Sequence, residues 1–152
     1  MNKLDKKLTL LYMATLLIAV GGYVCFEFVS PIKEAPLAGI DNYESIRYGA
    51  EVVTDLIAIG FVYLGVRLMV FPKVLKSIAD DNRRYAHWAT IRWSMLALVI
   101  LSGEAVHYLF MSPSTVGCPI IGALALFFVW PTKGRRESEI HAAMTAYPVE
   151  CP

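Results

Sequence analysis

Four side chains in this sequence have types and spacing that could do chemistry inside apolar surroundings. Glu104 and His107 stand three residues apart in the run RWSMLALVILSGEAVHYLFM, Arg92 to Met111, and Glu51 and Asp55 stand four apart in an earlier apolar run. Either spacing places its pair on one side of a helix. If the two sides meet, Glu51, Asp55, Glu104 and His107 line one pocket, and Glu27, at the end of the first apolar run, falls at a similar depth. Charged groups in such runs are costly and mark the first place to look for function. Crowded carboxylates repel one another, so this cluster would hold a proton or bind a cation. A single metal ion is the second chemistry the residue types allow. Glu104, His107 and either Asp55 or Glu51 would suit Zn²⁺ or another borderline ion. The plain alternative is that these groups hydrogen-bond between helices or to water.

The remaining polar residues are less specific. Arg67 and Arg92 lie about one turn from the opposite ends of their runs, where a long side chain can reach lipid headgroups, so they read as rim anchors. Cys25 and Cys118 fall near matching ends of the first and last apolar runs. They could form a disulfide in an oxidising compartment or remain buried thiols. Cys151 sits in the tail, and the three cysteines make no C-x-x-C and no zinc-ligand spacing. Two histidines of one helix, His87 and His107, would stand about 30 Å apart, too far to share a haem iron. No organic cofactor is expected.

The elements that must position these residues follow from composition. Of 152 residues, 57% are hydrophobic, above the roughly 45–50% of soluble domains, and mean hydropathy is +0.52. The excess collects into four blocks, residues 8–29, 45–71, 87–111 and 115–130, each read as a membrane span. The expected fold is an all-α integral membrane protein, with four helices in an up-down-up-down antiparallel bundle over residues 1–131. Residues 132–152 form a polar tail, helical around Glu137 to Met144. The first block follows a basic segment like a secretory signal, but it is too long and lacks a small-residue cleavage site. Asp41-Asn42-Tyr43-Glu44 has the pattern of a capping box opening the second helix, which Pro72 ends. Asp80 or Asp81 could cap the third. Between them, Val74, Leu75 and Ile78 share one side of a short interfacial helix. Ser112-Pro113-Ser114 reads as a tight hairpin.

Net charge is only +1, and nothing points to nucleic acid. The distribution of charge is more informative. Lys3, Lys6, Lys7, Lys73, Lys76, Arg83, Arg84, Lys133, Arg135 and Arg136 all fall on the side of the termini and middle loop, against Lys33 and Arg47 on the other. By the positive-inside rule both termini are expected in the cytoplasm, with Trp88, Trp93 and Trp130 at the inner interface. A bacterial cytoplasmic membrane is the expected location.

Glu104-Ala-Val-His107 resembles the Glu-x-x-His element of di-iron four-helix bundles. A second such element is missing, and residues 115–130 contain no Glu, Asp or His. Small multidrug carriers offer a looser likeness, but they place their essential carboxylate in the first helix, where this chain has only Glu27. The expected role is a small, non-enzymatic accessory or interaction protein of the membrane. Its partners are the lipid bilayer and another membrane protein or a second copy of itself, through small residues such as Gly60, Gly65 and Gly122. An ion- or proton-coupled transport protein and a metal-dependent membrane enzyme are the alternatives.

Overall fold

The computed structural model describes residues 3–25, 35, 37–81 and 83–148. The described elements are helices, with no strand among them: α1 (Lys3–Val24), α2 (Tyr43–Arg67), α3 (Pro72–Asp80), α4 (Arg84–Phe110), α5 (Gly117–Phe128) and α6 (Lys133–Ala146). Short 3-10 turns extend α2 through Leu68–Val70 and precede α5 over Pro113–Val116.

Among the described residues, three helical segments are long and apolar enough to cross a membrane: Lys6–Val24, Tyr43–Val70 and Arg84–Phe110. The count rises to four only if residues 114–128 and 133–146, bent 79° to one another, are taken as one broken span. The expected fourth span is therefore shorter than its apolar run. With 12 residues, α5 is about 18 Å long, against about 30 Å for a bilayer core.

The central element is α4, packed on α1, α2 and α5. Tyr43, opening α2, donates its hydroxyl to the Phe110 carbonyl at the end of α4, at 2.8 Å, so these helices run oppositely. Gly103 of α4 faces Pro119 of α5, and Gly122 of α5 faces Val99 and Ile100, so α5 also runs against α4. A Cβ at Gly103 would lie 2.6 Å from Pro119 Cδ, and only a glycine allows this crossing. Tyr12 and Gly22 of α1 lie beside Trp93 and Glu104 respectively, so α1 runs with α4.

Where α5 ends, carbonyls run out of regular helical partners; the Val129 and Trp130 amides close the last turn, and side chains from other elements add further donors. Tyr12 donates to the Leu126 carbonyl at 3.0 Å, Trp93 Nε1 to Val129 at 3.4 Å, and Arg135 to Phe128. Trp93 is thus buried in the core, edge-on to Tyr12 at 5.4 Å. It is not a lipid-facing member of an aromatic belt.

Two further expectations are corrected. The capping box does not form: Asn42 takes a left-handed backbone (φ 64°) without a side-chain cap bond, a conformation Asn tolerates better than most residues. The tail helix expected around Glu137 to Met144 runs from Lys133 to Ala146 and lies on α3. Val74 and Ile78 join Ala143 in the buried core, with Ile140 and Tyr147 packed beside them. The apolar side of α3 is covered by α6, where an interfacial helix would have met lipid. Asp81 does serve the start of α4, although it accepts from the Arg83 amide at 2.9 Å and Arg83 itself is the cap residue.

Candidate functional site

The side chains expected to share one pocket are distributed over three places. At the turn between α4 and α5, Ser112 is 1% exposed and acts as a hub. Its hydroxyl donates to the Glu51 carboxylate, so the Ser114 hydroxyl, 2.8 Å away, must donate to Ser112 Oγ. Arg47 Nε stands 3.3 Å from the same Glu51 carboxylate. The Ser112 carbonyl accepts from Thr115 Oγ1 at 3.0 Å and meets His107 Nδ1 at 2.7 Å. A carbonyl can only accept, so Nδ1 carries the proton. Because His107 faces the Ser112 carbonyl and the Ser112 hydroxyl faces a carboxylate, no Ser–His dyad is set up for nucleophilic attack.

One turn along α2, Asp55 accepts from the Cys118 thiol at 3.3 Å. Cys25 is exposed and Cys118 buried, and both are free thiols. The disulfide weighed from sequence does not occur here.

Glu104 points elsewhere. Three residues along a helix leave about 60° between side chains, enough to turn Glu104 toward α1 while His107 faces the Ser112 turn. Glu104 is 4% exposed, and neither carboxylate oxygen has a hydrogen-bond partner. The carboxyl packs against the backbone of α1 at Gly22, where an added Cβ would lie 3.2 Å from Oε2. Glu104 also forms part of the wall of a groove of about 260 Å³ between α1, α4 and α5, whose other walls include Ala19, Val20, Ile100, Pro119 and Ala123.

Asp55, Glu104 and His107 therefore stand apart, and among the described residues no three His, Cys, Asp or Glu side chains gather to hold a metal ion. Glu27 lies outside the described residues. Arg67 is exposed at the edge of a second apolar groove between α2 and α5.

A fourth cluster was not foreseen. Arg92 is 1% exposed, and its Nη1 lies 3.1 Å from Oε1 of Glu139 on α6. Arg135 Nε contacts the same oxygen at 3.1 Å, and Tyr85 donates to Oε2 at 2.7 Å. The rim arginine thus turns inward and clasps the tail helix. Local spacing carried a partial signal, since Arg135 and Glu139 are an i,i+4 pair and Tyr85 and Arg92 lie two turns apart on one side of α4. The contact between the two pairs has no trace in the sequence.

No protein-family model, curated protein or solved structure matches the chain.

Proposed function

We propose that this is a small multi-pass membrane protein, without enzymatic activity, that takes up a proton or cation within the membrane at Glu104, the elementary step of ion- or proton-coupled transport. The observation that carries the reading is a buried carboxyl group with no donor on either oxygen. A bare carboxylate in apolar surroundings is strongly unfavourable. Glu104 is accommodated as the neutral acid or against a cation, and exchanging one for the other is a functional event. The hub at Ser112 and the Asp55–Cys118 contact are satisfied hydrogen-bond sets, which suits a structural role.

A four-span arrangement in a bacterial cytoplasmic membrane, both termini inside, goes with this reading. It is supported by the basic residues at the termini and middle loop. Infrared difference spectroscopy on the reconstituted protein tests the function. A carboxylic-acid carbonyl band that Glu104→Gln removes, and that protons or cations exchange, is expected. A spectrum identical in parent and variant under all conditions rejects the reading.

An accessory role through a partner or second copy is favoured by one separate feature. Tyr48, Val52, Leu56, Ile59 and Tyr63 form an exposed apolar stripe along α2, a helix that buries only Thr54, Ala58 and Gly65. Ile59→Cys would cross-link to its partner if that stripe is an interface. It would remain uncross-linked if lipid alone covers the stripe.

A further inference from the structure

The groove beside Glu104 has a shape and chemistry that narrow what Glu104 would bind. Its walls come from three helices, and every named wall residue except Glu104 and Tyr23 is purely apolar: Ala19, Val20, Ile100, Val116, Pro119, Ile120 and Ala123. Val20, Tyr23 and Ile120 are exposed on the side of the helix bundle, so entry is lateral, from the surface the apolar helices present. At about 260 Å³ the groove is smaller than the ~300–1,000 Å³ typical of pockets for drug-sized ligands. It suits a single aliphatic chain or one ring. A lone hydrated metal ion would find no second charged ligand there, and an anion would be repelled by the carboxylate.

We infer that the α1–α4–α5 groove binds a hydrophobic amine as its ammonium ion, with the alkyl part along Ala19, Ile100 and Ala123 and the cationic head on Glu104. This rests on the reading of Glu104 as an ion-binding carboxyl and names the class of cation. Two observations converge on it. The carboxyl lacks any donor of its own, and an ammonium supplies three. Gly22 leaves the space that the carboxyl occupies against α1 beside the groove, since even a methyl there would meet Glu104 Oε2 at 3.2 Å and Leu101 Cδ2 at 3.1 Å. Small residues at positions 19 and 123 leave the groove open along its length. The carboxyl oxygens are themselves shielded in the described conformation, so binding includes a rotation of the Glu104 side chain toward the groove.

Equilibrium dialysis of radiolabelled n-decylamine against the full chain in lipid nanodiscs, with empty nanodiscs subtracted, tests the inference. Saturable binding near one amine per chain is expected. Glu104→Gln should weaken it at least tenfold and Ala123→Phe, which fills the groove, should abolish it, while Glu44→Gln on the exposed start of α2 should leave it unchanged. Unlabelled n-decanol, equal in length but uncharged, should fail to compete. The inference is overturned by binding no greater than to empty nanodiscs, by undiminished binding to a folded Glu104→Gln protein, or by equal competition from n-decanol. The last criterion needs only the parent protein, so it stands even if a variant misfolds. Loss of amine binding as the sole failure, with the Glu104 infrared band intact, would reject this ligand class and leave the proton-binding role standing.

Discussion

Arg92 Nη1 and Glu139 Oε1 lie 3.1 Å apart across 47 positions of sequence, joining the completely buried guanidinium of α4 to the last helix of the chain. Glu139 also receives Arg135 Nε from its own helix and the Tyr85 hydroxyl from α4, so one carboxylate ties α6 to α4 through two of its three donors. Together with the apolar contact of α6 on α3, this closes the end of the molecule where α2 and α5 finish.

Removing one partner of a buried pair leaves the other charge uncompensated, which costs about 3–5 kcal/mol. Glu139 is 18% exposed, so Glu139→Ala is expected near the lower end of that range. Thermal unfolding in detergent should show a clear drop. Limited proteolysis should cut faster at Lys133, Arg135 and Arg136. The double variant Arg92→Leu with Glu139→Leu should recover most of the loss, because apolar residues of similar volume often replace a buried ion pair without penalty. Equal stability of parent and Glu139→Ala would show the clasp to be energetically idle.

Ser112 offers the second test. Its side chain satisfies Glu51 while its carbonyl anchors His107 and Thr115. Ser112→Ala deprives a part-buried carboxylate of a donor, an effect of about 1–3 kcal/mol. Ser114→Ala removes only a neutral hydroxyl contact and should cost less, about 1 kcal/mol. Chemical or thermal denaturation of the two variants compares them directly, and the reverse order would contradict the hub.

The α4–α5 crossing depends on Gly103. Gly103→Ala would bring a methyl to 2.6 Å from the Pro119 ring and 2.9 Å from Cys118 Cβ, neither of which can swing aside as a flexible side chain would. Overpacking of this kind typically costs about 1–3 kcal/mol. Gly60→Ala, where nothing lies within 4 Å, should instead stabilise α2 by roughly 0.5–1 kcal/mol. Melting temperatures that move in opposite directions are expected for these two alanines.

The thiols differ in access. In a Cys151→Ser background, a maleimide should modify exposed Cys25 and leave buried Cys118 unreacted until the protein is denatured. Mass spectrometry of the intact chain under non-reducing conditions should find both thiols free. A mass lower by two hydrogens, with no labelling, would instead establish the disulfide.

Much of the architecture was legible from the chain alone, because it rests on local properties. Unbroken apolar runs specify helices, Pro72 marks the turn after α2, and hydropathy identifies Lys6–Val24, Tyr43–Val70 and Arg84–Phe110 as long enough to span a bilayer. Glu104 was legible as a candidate alongside Glu51, Asp55 and His107, since an ionisable residue inside such a run is conspicuous wherever the helix packs. Tertiary structure decided which side each residue faces. Glu104 and His107 share a helix face in the loose sense of i,i+3, yet their angular separation sends one toward α1 and the other to the Ser112 carbonyl. The expected pocket divides for that reason. Arg92 could equally have reached outward to headgroups, and only the bend of 79° that folds residues 133–146 back brings Glu139 within reach and turns it inward. Sequence records the period of a helix and the cost of a charge within it. The rotation of one helix against another, and a pairing across 47 residues, arise only when the packed chain chooses among partners that local sequence leaves equivalent.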